Sequence, residues 1–347
     1  MTYGRSAALV ALAVALGTTP ALAAKSQETY RLEQDQWQKQ EVLDPGTPQG
    51  ELQRVRKLLA EDKNKLAGKR ASEWIEHYPN HPELAEAHLL RGDALVARRY
   101  YFKALFDYEH VAQVHPQSEQ FHTALEREFE IAKLFAAGMK RRWLAGVRML
   151  PASDEAEELF IRVQERSPGS EVGEKASLAL GEFYFNRAQM GSAAEAYQLF
   201  LVNYPDSRYR QRAMLRLIQS NLATFKGPRF DSTGLIEAAQ RLKTFRKEYP
   251  VSAQRLGAQA LLVRIDESLA LQDFYRARWY DRVGQRVSAV YTYRRVVSDR
   301  PQTVAARAAM QRLAGLAAPL QSPGHTPDTP DDALDTMPSS DESEKIR

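Results

Sequence analysis

"AAEAYQLFLVNYPDS", residues 193–207, decides the fold. It reads as a helix, with Ala193 and Tyr197 one turn apart on one face, that stops at Tyr204-Pro205 and restarts at Ser207. Proline has no N–H and pushes the residue before it out of helical geometry, so the helix ends there. A similar passage occurs five more times: an alanine, an apolar residue four later and a proline eight further on. The sets are Ala67, Ala71 and Pro79, then Ala104, Tyr108 and Pro116, then Ala156, Phe160 and Pro168. Beyond the opening stretch come Ala238, Leu242 and Pro250, and finally Ala289, Tyr293 and Pro301. The alanine lets two helices approach closely, and the residue one turn on fills the groove beside it. Ser118, Ser170, Ser207, Ser252 and Thr303 stand two residues past their prolines and are expected to cap the next helix, each contributing ~1 kcal/mol. His81 holds that place in the first repeat.

Gly92 and Gly181 precede Ala104 and Ala193 by twelve residues, and Tyr184 stands three past Gly181. Glycine, alanine, aromatic and proline in this register form the pattern of tetratricopeptide (TPR) helix pairs. The expected fold is all-α: a right-handed superhelical solenoid of about six TPR-like antiparallel helix pairs plus a closing helix, Thr303 to Ala317. Successive prolines are 37, 52, 37, 45 and 51 residues apart, and the long intervals locate additions. One is the insertion 138–153, before a helix opening near Asp154 with Ser153 as cap. A second is the insertion 226–234. The third lengthens the first helix of the sixth pair, about Ala253 to Val283. The repeat domain is thus read as 51–318, after a polar linker at 25–50.

The ends differ from the body. Arg5, the apolar run 7–16 and "ALA" at 21–23 read as a cleaved secretory signal over 1–24, with a retained anchor as the alternative. Export to the periplasm follows. From Pro319 to Arg347 seven Asp/Glu stand against two Lys/Arg, so this tail carries −5 of a total of +4 and leaves about +9 on the rest. Rich in Pro, Ser, Thr and Asp, it is expected to be disordered. The chain has no cysteine, which excludes disulfides, thiolate metal sites, cysteine nucleophiles and lipid attached through a cysteine thioether.

Motifs for chemistry are missing. His77 and His81 are separated by Pro79, and His110, His115 and His122 straddle Pro116, so neither group is a compact metal-ligand set. The acidic run 153–158 suits a helix N-terminus. No phosphate loop, nucleophile elbow or H-E-x-x-H occurs. We read no catalytic residue, no metal and no cofactor, and expect a non-enzyme. An enzyme on a helical platform would need a further domain. Nucleic acid is not expected as a partner. Two basic–aromatic stretches remain. Arg141, Arg142 and Trp143 lie in "KRRWLAGVRM" (140–149), and Arg276 and Arg278 in "FYRARWYDR" (274–282). Trp and Arg tend to carry binding energy, so these five are candidate partner-binding residues.

Residues 193–254, with two helices closing in Tyr-Pro-x-Ser around an Asp-bearing insertion, resemble the BamD (YfiO) family of outer-membrane β-barrel assembly lipoproteins. Residues 275–303, a helix, a glycine turn and a helix closing in Pro-x-Thr, resemble that family's late segment, and the likeness spans about 51 to 317. It implies a periplasmic scaffold for inserting β-barrel proteins. Its implied partners are an outer-membrane assembly complex and unfolded or peptide segments of barrel substrates, with N-terminal repeats toward substrate and C-terminal ones toward partner subunits. This chain departs from the family in having "ALAAKSQ" (21–27) where a lipid-bearing cysteine is usual, six pairs rather than five, and the basic insertion. Peripheral membrane association then depends on a partner or on basic surface. The alternative function is a general periplasmic TPR adaptor of envelope, peptidoglycan or Tol-Pal-type machinery.

Overall fold

A computed structural model describes residues 29–33, 36–40, 44–142, 148–151 and 153–317. The expected signal segment, Trp143 and the acidic tail lie outside them. The described chain is all-α in its core: fourteen helices, with two small antiparallel hairpins. Strands β1 (Thr29–Glu33) and β2 (Gln36–Gln40) pair within the stretch read as a linker. Strands β3 (Lys140–Arg142) and β4 (Arg148–Pro151) pair within the basic insertion, with a register shift between Arg141 and Arg142.

The chain divides into two compact units at Ala94 and Leu95. The first holds α1 (Pro48–Ala60), α2 (Asn64–His77) and most of α3 (Leu84–Ala97), with Gly92 buried in α3. Leu52, Val55, Ala67, Ala71, Trp74, Ala87 and Leu90 form its core. The Trp74 indole N–H donates to the Pro48 carbonyl at 2.9 Å, and an Arg56–Glu86 ion pair joins α1 to α3. His81 packs edge-on against Trp74.

The second unit runs through α4 (Tyr101–Val114), α5 (Gln120–Ala136), α6 (Ser153–Arg166), α7 (Glu171–Asn186), α8 (Met190–Asn203), α9 (Arg210–Thr224) and α10 (Thr233–Glu248). It continues through α11 (Pro250–Leu256), α12 (Ala258–Arg282), α13 (Arg286–Asp299) and α14 (Val304–Ala317). From α4 onward helices pack chiefly on the next one or two in sequence, the one-dimensional order of a repeat array. All twelve alanine and partner positions of the repeat are at most 1% exposed. Ala104 and Tyr108 of α4 are both fully buried, as are Ala193 and Tyr197 of α8 and Ala289 and Tyr293 of α13. Gly181 shows why the register is strict. A Cβ there would sit 2.7 Å from the Tyr197 ring, so α7 and α8 approach closely only because position 181 is bare.

Helix ends follow the prolines. Pro116, Pro205 and Pro301 are exposed and lie just past the last turns of α4, α8 and α13, where they stop a helix without filling the core. Tyr78, His115, Tyr204, Tyr249 and Arg300 end their helices with φ between −124° and −140° and ψ between 51° and 65°. In each, the backbone N–H still reaches the carbonyl four residues back. The expected caps are fewer. Ser170 and Thr303 accept from the N–H three residues on, at 3.0 and 3.1 Å, and Thr47 does the same for α1. Ser118 donates to the His115 carbonyl, Ser207 accepts from Tyr209 N–H one residue early, and Ser252 accepts from the Gln211 amide. Ser153 donates to its neighbour Asp154. Donation to the carbonyl three residues back is shared by Ser118, Ser170 and Thr303, and only the last two also accept from the N–H three residues on.

The sixth pair's first helix is also not continuous. Pro250 opens α11 as its first residue, and Gly257, at φ 69°, closes it before α12 begins. A further regularity links the first, second, fourth and sixth pairs. Asp62, Arg99, Ala188 and Gly284 have φ of 56°, 62°, 59° and 78°, and each lies seventeen residues before its repeat's proline. The next residue's N–H returns to the carbonyl five positions back, closing a tight left-handed turn. The third and fifth repeats carry the insertions where this turn would stand.

A buried charge cluster joins α4, α5 and α6. Glu109 accepts from Arg162 at 3.0 Å and from both guanidinium nitrogens of Arg166. Burial alone would raise the Glu109 carboxyl, but those bonds and charges together hold it well below the usual carboxylate range. Glu128 beneath it is fully buried, 3.7 Å from Arg166, and neither carboxylate oxygen has a hydrogen-bond partner. Burial first, and then the Glu109 charge, push Glu128 far upward, so it favours its neutral form.

Candidate partner-binding surface

Asp273 organises the most distinctive surface. It lies on the α13 side of α12, with its side chain 11% exposed, and three guanidinium groups converge on it. Arg276 is 3.1 Å away, Arg295 3.0 Å and Arg300 3.2 Å. One carboxylate cannot neutralise three arginines. Even with Asp299, 3.9 Å from Arg295, the cluster stays positive.

The bridge fixes what stands beside it. Arg276 and Trp279 are three apart on α12, and Tyr291 and Arg295 four apart on α13, so each pair shares a face. Trp279 is 42% exposed and Tyr291 67%. The second insertion reaches the same stripe: the Gln272 amide donates to the Phe230 carbonyl at 2.7 Å, and the Arg229 guanidinium lies over the Tyr275 ring. Phe230 itself is 53% exposed. Phe230, Arg276, Trp279, Tyr291 and Arg295 thus form a basic, aromatic face. Such residues anchor protein interfaces, since they bury large area and their guanidinium groups fit carboxylates.

A groove of about 580 Å³ lies between α8, α9 and α10, lined by Glu195, Gln198, Leu217, Glu237, Gln240 and Arg241 among others. It offers no aromatic anchor. No group of three metal-ligating side chains occurs among the described residues. No helix there is long and apolar enough to cross a membrane.

The sequence-derived candidates are placed unevenly. Arg276 belongs to the face. Arg278, two residues on, is about 200° around the helix and half-buried toward the Tyr293 hydroxyl, whose ionisation burial opposes. The two lie on different sides of α12. Arg141 and Arg142 form part of β3, on a different element. Sequence reading missed Asp273, Phe230 and Tyr291. The lone acid in "LALQDFY" (269–275), three residues before an arginine, was the available signal.

Residues 146–321 match the YfiO family, described as an outer membrane lipoprotein, and they make up just over half of the chain. The chain belongs to the YfiO family. The matched segment contains α6 to α14 and so the whole Asp273 face. No curated protein sequence matches the chain. Among solved structures, the C-terminal part of a TPR repeat-containing protein from Cytophaga hutchinsonii is similar at 14% identity, covering 76% of this chain and 88% of that one, with a TM-score of 0.36. The type IV pilus biogenesis factor PilW is similar at 12% identity over 76% and 98%, with a TM-score of 0.28. The assembly chaperone of RpL4 (Acl4) is similar at 16% identity over 78% and 97%, with a TM-score of 0.27.

Proposed function

We propose that this YfiO-family chain is a non-catalytic periplasmic scaffold that binds protein partners in the assembly and insertion of outer-membrane β-barrel proteins. The family match supports the pathway, and the Asp273 face supports the mode of action. Two helices cross-linked through a shared carboxylate present arginine and exposed aromatic side chains on a rigid support, an arrangement suited to recognition and not to bond-making. The barrel-bearing subunit of the assembly machine is the expected occupant. With no cysteine in its 347 residues, the chain holds to the outer membrane through that partner or its basic surface instead of a thioether lipid.

Crosslinking in the native envelope followed by purification tests this. The barrel-bearing subunit should be recovered with the parent, and recovery should fall about tenfold, the cost of a lost anchor near 1.4 kcal/mol, with Arg276→Gln and Trp279→Ser together. Equal recovery would remove the α12–α13 face from the proposal. Consistent isolation without any barrel protein would remove the pathway. Replacing Arg141, Arg142 and Trp143 together tests the β3 hairpin as a second contact, with weaker capture and an unchanged melting temperature as the expected result.

A further inference from the structure

The Asp273 face carries surplus positive charge beside exposed aromatic rings, and the chain supplies a segment of opposite character. Between Asp328 and Glu344 lie seven acidic residues and no basic one, with Leu334 and Met337 among them. We propose that this acidic tail is an intramolecular occupant of the α12–α13 face, laying its carboxylates against Arg276 and Arg295 and its apolar residues against Trp279 and Tyr291. The inference rests on reading that face as a docking surface, and it makes the tail a competitor that an incoming partner must displace.

Connectivity favours the tail over other acidic occupants. Helix α14 packs on both α12 and α13, and Arg286, at the start of α13, donates to the Leu316 carbonyl in the last turn of α14. The tail therefore leaves the fold near the start of α13, half a turn around that helix from Arg295. From Arg286 to Arg295 the helix rises only ~14 Å. The eleven residues from Ala317 to Asp328 span up to ~36–40 Å when extended. A tether of this length holds the acidic segment at an effective concentration on the order of millimolar. Contacts between exposed charges are weak one by one, and at that concentration several together suffice to keep the face covered. They are also screened by salt, with a Debye length of about 10 Å at 0.1 M and 3 Å at 1 M.

The absence of cysteine makes the test direct. Ser339→Cys in the full chain, labelled with bimane, places in the tail a fluorophore that nearby tryptophan quenches. Trp279→Phe should brighten it about twofold, and so should raising salt from 0.1 to 1 M, which screens the contact. Asp328, Asp331, Asp332 and Asp335 all changed to Asn should do the same, and this variant leaves the helical core untouched. Unchanged brightness in Trp279→Phe would overturn the proposal. So would quenching that fades when labelled chain is mixed with excess unlabelled Trp279→Phe chain, since the occupant is then a second copy. The function reading fails separately. If Arg276→Gln with Trp279→Ser leaves capture of the barrel-bearing subunit intact while Trp279→Phe brightens the labelled tail, the tail contact stands and the partner assignment falls. If quenching is absent but capture drops, the reverse holds.

Discussion

Replacing Gly181 with alanine tests the repeat at its tightest point. In an ordinary helix interior, glycine to alanine is favourable by ~0.8–1 kcal/mol, because alanine loses less backbone entropy. Here the new methyl carbon would stand 2.7 Å from one Tyr197 ring carbon and 2.8 Å from another. Carbon–carbon contact is comfortable near ~3.5–4.0 Å, so an overlap of about 0.8 Å or more must be relieved. Tyr197 is fully buried and has no room to retreat, which leaves separation of α7 from α8 as the response. Such overpacking costs ~1–3 kcal/mol and outweighs the propensity gain, for a net loss of ~0.5–2 kcal/mol. Thermal melts should show a fall of ~2–4 °C for each kcal/mol lost. In a Tyr197→Leu background the ring is gone and the same substitution should become neutral or favourable, a coupling of ~1–2 kcal/mol in the double-mutant cycle. Gly315→Ala in α14, where an added carbon meets nothing within 4 Å, serves as the stabilising control. A rise in melting temperature for Gly181→Ala itself would refute the close-approach argument.

Other outcomes follow from the turns, the caps and the buried carboxyl. Ala188→Gly should stabilise by ~0.5–1 kcal/mol or more in urea titrations, because alanine at φ 59° bears a strain that glycine does not. Glu267 accepts from the Val304 and Ala305 N–H groups at 2.9 and 3.1 Å, so Glu267→Ala should cost ~0.5–2 kcal/mol and raise amide exchange in α14 before the rest of the unit. Glu128 binds its proton more tightly folded than unfolded, so its contribution to stability falls as pH rises above the unfolded value near 4.5. Urea melts of Glu128→Gln should match the parent's pH dependence below pH 4.5. Above it, up to Glu128's raised folded pKa, the variant should gain on the parent by up to ~1.4 kcal/mol per pH unit.

The repeat was legible because proline and alanine act locally. A missing N–H, as at Pro301, stops a helix whatever surrounds it, and a small side chain at fixed spacing has one packing use. The serines were less legible, since a hydroxyl both donates and accepts and its partner can be a neighbour, as for Ser207, or a side chain 41 residues away, as Gln211 is for Ser252. Seventeen-residue spacing to a left-handed turn was hidden because Asp62, Arg99 and Ala188 occupy it where sequence rules expect glycine. Of the candidate surface, Arg276 and Trp279 could be singled out as a basic–aromatic run. Asp273 could not, because Arg295 and Arg300 are 22 and 27 residues away and meet it only when α13 folds back. Arg278 looked equivalent to Arg276 because composition ignores the 200° between them.

The bond from Gln272 to the Phe230 carbonyl spans 42 residues and ties the loop between α9 and α10 directly to α12. An array in which each helix leans on its neighbours can fray stepwise from its ends. This strut fastens a stretch of it into one piece, so α9 to α12 should come apart together under load, and a partner that pulls on the Phe230 loop pulls on the helix that bears Asp273.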